Sequence, residues 1–189
     1  MADKFADRFK TKSSRLKNFD YSTPGFYFIT ICTLNKNNFF GKIINYQMEL
    51  SKVGTITDQC IINIPNHFLK IALDKYVVMP NHVHILFRVE TLDLASLQTN
   101  SKIKVINYSH KNHPNFYSRL SQKSNQLIPK VIQQLKSSVK RKCNQQNLFF
   151  AWQPRYYDHI INNEQEFFKI KNYIINNPIN WQKDKFYKK

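Results

Sequence analysis

The chain predicts an α+β fold, a mostly antiparallel sheet with helices packed over one face, and three observations carry that expectation. Aromatic and β-branched runs bounded by turn residues recur along the 189 residues. Two of them are parted only by Met79-Pro80-Asn81, too short for anything but an antiparallel hairpin. Apolar stripes of helical period lie between the others, and hairpins mixed with interleaved helices are solved most simply by helices laid over an antiparallel sheet.

Residues 1–20 are basic, with Lys4, Arg8, Lys10, Lys12, Arg15 and Lys17, and lack periodicity, which predicts a flexible N-terminal arm. A single domain is expected over 21–189. After the turn signal Ser22-Thr23-Pro24-Gly25, the run 26–33 reads as a buried strand. Asn35-Lys36-Asn37-Asn38 turns the chain into a second strand over 39–45. From Ser51, the spacing of Val53, Ile56, Cys60, Ile61 and Ile64 predicts a helix closed by Pro65. Strands follow over 71–78 and 82–89. The polar stretch at about 90–126, which holds His110 and His113, predicts a long excursion. Ile128, Val131, Ile132, Leu135 and Val139 mark a helix over about 127–146. A last strand is expected over 148–161, with Pro154 placing its break at a sheet edge. Asn163 with Glu166 three positions on forms a capping-box start for a third helix, which Pro178 stops.

Composition excludes several chemistries. Three scattered glycines cannot build a phosphate-cradling glycine loop. The twelve carboxylates are dispersed, against an all-carboxylate two-metal nuclease or paired-acid glycosidase. Three cysteines without C-x-x-C spacing predict buried thiols in a reducing compartment. No stretch approaches the ~18 apolar residues of a membrane span, so a cytoplasmic, nucleoid-associated protein without a membrane is expected. With 29 Lys+Arg against 12 Asp+Glu, the net charge of +17 sets up a strong positive field that suits a polyanion.

His82 and His84 stand two apart on a strand, so their imidazoles share one face and can hold one divalent ion between them. The same spacing also fits a hydrogen-bonded structural pair. On the last helix Tyr173 and Asn177 lie at i and i+4 and share a face, placing a phenol beside an amide oxygen able to bind a hard cation. A phenol is a weak nucleophile at neutral pH and needs an electrophile made more reactive beside it. Equally, Tyr173 fits an amphipathic helix and Asn177 a helix end.

Val77-Val78-Met79-Pro80-Asn81-His82-Val83-His84 resembles the HUH block of the single-tyrosine transposases. Trp152-Gln153-Pro154-Arg155-Tyr156-Tyr157-Asp158-His159-Ile160-Ile161, followed by Tyr173-Ile174-Ile175-Asn176-Asn177-Pro178, resembles the C-terminal block of their REP-associated branch, and Gly25-Phe26-Tyr27-Phe28-Ile29-Thr30 resembles its opening strand. This resemblance implies a ferredoxin-like HUH endonuclease domain acting on single-stranded DNA with hairpin structure, as a monomer or homodimer. It implies that His82, His84 and Asn177 hold a divalent metal ion, Mg or Mn, and that Tyr173 attacks DNA to form a 5′-phosphotyrosine. Two other readings stay open: a mobile insertion-sequence transposase acting on its own element ends, and a catalytically inactive DNA-binding repressor or architectural protein.

DNA contacts are expected from Lys136, Lys140, Arg141 and Lys142 on one helical face, and from Arg155, Tyr156, His159 and Lys171 nearer the site. Tyr157 and Asp158, being adjacent on a strand, point to opposite faces and cannot cooperate.

Overall fold

The computed structural model describes residues 19–91 and 126–187. Most of the expected N-terminal arm and nearly all of the 90–126 excursion, with His110 and His113, lie outside them.

Six strands and four α-helices make up the described chain: β1 (Gly25–Cys32), β2 (Gly41–Ile44), β3 (Gln47–Leu50), α1 (Lys52–Ile62), α2 (Ile64–His67), β4 (Ile71–Met79), β5 (His82–Val89), α3 (Leu127–Gln145), β6 (Tyr157–Ile161) and α4 (Glu164–Asn176). The main sheet has the order β4-β5-β1-β6, antiparallel throughout. With α1 before β4 and α3 before β6, this is the ferredoxin-like βαββαβ arrangement that the resemblance implies.

Alternation along β1 sorts its side chains to two faces. Tyr27, Ile29 and Ile31, with Val83, Ile85 and Phe87 of β5, pack against the apolar stripes of α1 and α3. Ile29 and Ile85 are completely buried, each contributing roughly 1.5–3 kcal/mol. Phe26, Phe28 and Leu86 point the other way and meet Phe167 and Ile174 of α4. Helices therefore cover both faces rather than one, because α4 carries its own apolar stripe and folds back across the side that α1 and α3 leave open.

Two strands differ from expectation. The second is half of a separate β2–β3 ribbon, turned by Asn45 and Tyr46 at φ 49° and 63°, the positive-φ pair of a two-residue hairpin. Gly41 is required there, since a Cβ on it would lie 2.0 Å from the Glu49 carbonyl oxygen. The last strand shortens to β6, the sheet edge, because Pro154 and the left-handed Arg155 (φ 69°) break the run. Phe150 and Trp152 instead pack their rings against Phe40, at 5.5 and 5.4 Å.

The helix starts follow the side-chain chemistry. Ser51 caps α1, its hydroxyl accepting from the Gly54 N–H at 3.1 Å. Asn163 caps α4 in the same way, accepting from the Glu166 N–H at 2.8 Å, while the Glu166 carboxylate accepts from the Asn162 N–H. The three cysteines are free and buried.

Candidate metal and nucleophile site

Cross-strand register builds the site on the face that α4 covers. Thr30 of β1 stands opposite His84 on one side and Tyr157 on the other, while Cys32 stands opposite His82. Directly opposed antiparallel residues project the same way, so Thr30, His82, His84 and Tyr157 share this face. The single Val83 between the histidines goes to the other core.

Both imidazoles are almost wholly buried. His82 Nε2 and His84 Nε2 lie 3.0 Å apart. Behind them each Nδ1 has its own partner: Asn81 Oδ1 at 2.9 Å from His82, and Thr30 Oγ1 at 2.8 Å from His84. Asn81 is itself fixed, because its amide nitrogen donates to the Lys36 and Phe186 carbonyls at 3.1 and 2.8 Å. Its oxygen must therefore accept from His82 Nδ1–H, which leaves the His82 Nε2 lone pair facing His84. Burial is the main force on the charge of both rings. It pushes the His82 pKa down to about 3, helped by the charges of Lys185 and Lys36, and it pushes His84 well down, with His82 adding to the effect.

From α4, Tyr173 brings its hydroxyl to 3.2 Å from His84 Nε2 and donates to Asp184 Oδ2 at 3.1 Å. Asn177, one turn on and buried, donates from its amide nitrogen to the same carboxylate oxygen at 3.2 Å. Its own Oδ1 is buried without a hydrogen-bond partner. Partial burial, then the charge and hydrogen bond of Asp184, push the Tyr173 phenol up to about 12. The phenol is thus neutral near pH 7 and must lose its proton to act as a nucleophile.

The donor set fits a divalent ion. Two neutral imidazole nitrogens and one Asp184 carboxylate oxygen lie within 4.8 Å of one another, and the unpartnered Asn177 oxygen is oriented by the bond its amide nitrogen makes to Asp184. Mixed nitrogen and oxygen ligands suit Mn as well as Mg or Zn. The hydrogen bonds from Asn81 and Thr30 behind the rings are the support that ligating histidines use to fix their tautomer.

The expected DNA-contact residues are not gathered at this site. Lys136 donates to the Gln153 and Arg155 carbonyls at 2.8 and 2.7 Å, Lys140 donates to the Phe150 carbonyl at 2.6 Å, and burial pushes the Lys136 ammonium down to about 8. Arg141 and Lys142 line a cavity of about 220 Å³ between α1, α2 and α3. All four lie on α3, across the sheet from the histidines. Tyr156 packs against the α1–α3 core, and Arg155 occupies the left-handed turn before β6. His159 pairs with Glu166 at 2.7 Å and Lys171 with Asp74 at 2.8 Å. Tyr157 is exposed and Asp158 buried, on opposite faces as strand alternation requires.

Asp184, Asn81, Thr30 and Phe186 were not singled out as site residues by the sequence pattern. Asn81 stands inside the histidine motif, yet its place in a turn explains it equally well. Asp184 lies beyond Pro178 as a lone acid in a basic tail, and that is the only signal it offers.

The chain matches no family model. An uncharacterized protein of Haemophilus influenzae is 36% identical over 178 residues, covering 93% of this chain and 92% of its own length. Among solved structures, a REP-associated tyrosine transposase bound to a REP hairpin aligns over 90% of this chain and 74% of its own, with a TM-score of 0.50 and 18% identity. A candidate transposase from Deinococcus radiodurans aligns over 86% of this chain and 97% of its own, with a TM-score of 0.43 and 16% identity.

Proposed function

We propose, for a chain that belongs to the same family as its Haemophilus influenzae relative and shares the fold of the REP-associated tyrosine transposase, that it nicks and rejoins single-stranded DNA, with hairpin-forming repeats as the substrate. The observation that carries this reading is the Tyr173 hydroxyl 3.2 Å from His84 Nε2, with His82 Nε2 3.0 Å from that nitrogen and Asn177, its oxygen unpartnered, donating to the same Asp184 oxygen as Tyr173.

Tyr173 Oη attacks the phosphorus of a phosphodiester. As the Oη–P bond forms the phenolic proton leaves to solvent, the bond to the 3′-oxygen breaks, and that oxygen takes up a proton from solvent, giving a 5′-phosphotyrosine and a free 3′-OH. Reversal by the same or another 3′-OH rejoins strands without ATP, because the bond energy stays in the covalent link. His82, His84 and Asn177, with Asp184 within reach, would hold a divalent ion, Mg or Mn, which would supply Lewis-acid polarisation of the phosphate and stabilisation of charge on the leaving oxygen. The protein supplies orientation: Asn81 and Thr30 fix the rings, α4 carries the nucleophile, and the residue that caps its C-terminus is the amide ligand. Tyr173 reaches a histidine of its own chain, which supports a site built within one protomer, whether the protein is a monomer or a homodimer. Among the described residues no helix is long and apolar enough to cross a membrane.

Incubating the protein with hairpin-bearing single strands and Mn tests the reading. A covalent protein–DNA adduct is expected with wild type and none with Tyr173→Phe. DNA binding without any adduct would leave a non-catalytic DNA-binding protein.

A further inference from the structure

On α3, Lys136 and Lys140 are bonded to carbonyls of the neighbouring segment, and the whole basic face, Arg141 and Lys142 included, lies across the sheet from the histidines, which raises the question of what holds a strand over Tyr173. Two other lysines surround the site. Lys36 follows the end of β1 and Lys185 lies in the C-terminal segment. Each places its Nζ 5.0 Å from the centre of the Phe186 ring, so the two ammoniums are at most twice that distance apart. Phe186 in turn lies 4.5 Å from the His82 ring. Neither lysine forms a carboxylate salt bridge among the described residues, and both act on the buried His82 through their charge. Buried Asn81 anchors the two segments, because its amide nitrogen donates to the Lys36 carbonyl and to the Phe186 carbonyl. The same side chain that orients His82 therefore sets where the lysine backbones stand. Beside them the Lys185 Nζ lies 5.7 Å from the Tyr157 ring, and that exposed ring shares the histidine face through the row Tyr157, Thr30, His84.

We propose that Lys36 and Lys185 form a phosphate seat, and Tyr157 a base-stacking platform, that lay single-stranded DNA across the histidine face rather than along α3. Cations held over rings without a carboxylate partner suit phosphates, and an exposed ring beside them suits an unpaired base. The inference rests on the reading of a single-stranded DNA substrate, but it concerns binding and not chemistry.

The test is equilibrium binding of a fluorescent single-stranded oligonucleotide to the full chain in EDTA, over a range of salt. Replacing both lysines, Lys36→Gln with Lys185→Gln, removes two phosphate contacts. It is expected to weaken binding about 25-fold at 0.1 M salt and to lower the salt slope by about 1.4. Lys36→Arg with Lys185→Arg restores affinity, and loss of the same two charges at Lys52 and Lys70 leaves it at the wild-type value. Tyr157→Ala weakens binding about fivefold or more, whereas Tyr157→Phe, which keeps the ring, does not. Wild-type affinity in the Lys36/Lys185 glutamine variant, or a loss seen instead with Arg141→Gln and Lys142→Gln, would overturn the seat. Binding that shows this pattern in a protein that never forms an adduct would sink the cleavage reading alone. A wild type that binds no single strand would sink both.

Discussion

Replacing Asn81 by alanine removes three hydrogen bonds at once: those its amide nitrogen donates to the Lys36 and Phe186 carbonyls, and the one its oxygen accepts from His82 Nδ1–H. The carbonyls belong to surface segments and can turn to water, but the His82 ring is completely buried and its N–H is left without a partner. One orphaned buried donor costs about 1–3 kcal/mol, and the lost tethers bring the total to about 2–4 kcal/mol. For a chain of this length that is a fall in Tm of roughly 5–15 °C. His82 also loses the group that holds its tautomer, so Mn affinity should fall about 10- to 100-fold. Asn81→Asp separates the two effects, since a carboxylate still accepts from His82 but cannot donate to the carbonyls: it should keep Mn affinity and lose stability. Differential scanning fluorimetry and calorimetric titration with Mn read both quantities. An Asn81→Ala variant with wild-type Tm and wild-type Mn affinity would refute the reasoning.

Acid should destabilise the metal-free protein through the histidines. Their folded pKa values lie below the unfolded one, with His82 at about 3, so the unfolded state binds more protons in acid. Their contribution is complete above about pH 6.5 and falls by about 1.4 kcal/mol per pH unit for each ring as the pH drops toward the folded values. Denaturant titrations across this window should flatten in the His82→Gln/His84→Gln double variant, and an unchanged slope would contradict the burial argument. Lys136→Ala frees the Gln153 and Arg155 carbonyls and should cost about 1–3 kcal/mol in urea unfolding, far more than loss of a solvated lysine. Gly54→Ala should cost on the order of 2 kcal/mol or more, because its Cβ would meet the Phe40 carbonyl oxygen at 2.1 Å; a neutral result would mean that α1 can shift freely.

Some of this molecule can be read without coordinates. The alternation of β1 and β5 and the stripe on α3 are periodic, and periodicity is what burial imposes. The His-x-His spacing fixes a shared face by strand geometry alone, and Tyr173 with Asn177 does the same on a helix. What could not be read depends on distant pairing. The β2–β3 turn uses Asn45 and Tyr46 without a glycine to mark it. The run 148–161 is strand-like in composition, yet its first half spends Phe150 and Trp152 on the core. Lys136 and Lys140 look like any solvated basic stripe until the neighbouring segment brings its carbonyls to them. Asp184 belongs to the site only because the chain returns after Pro178, and no local pattern encodes that return.

The most direct measurement is peptide mapping by mass spectrometry of the protein after reaction with a hairpin-bearing single strand and Mn. The expected result is one modified peptide, carrying the DNA 5′-phosphate on Tyr173, which disappears when His82 and His84 are replaced by alanine. A phosphotyrosine at Tyr157 or elsewhere, or an adduct on Tyr173 that persists without the histidines, would contradict the site described here.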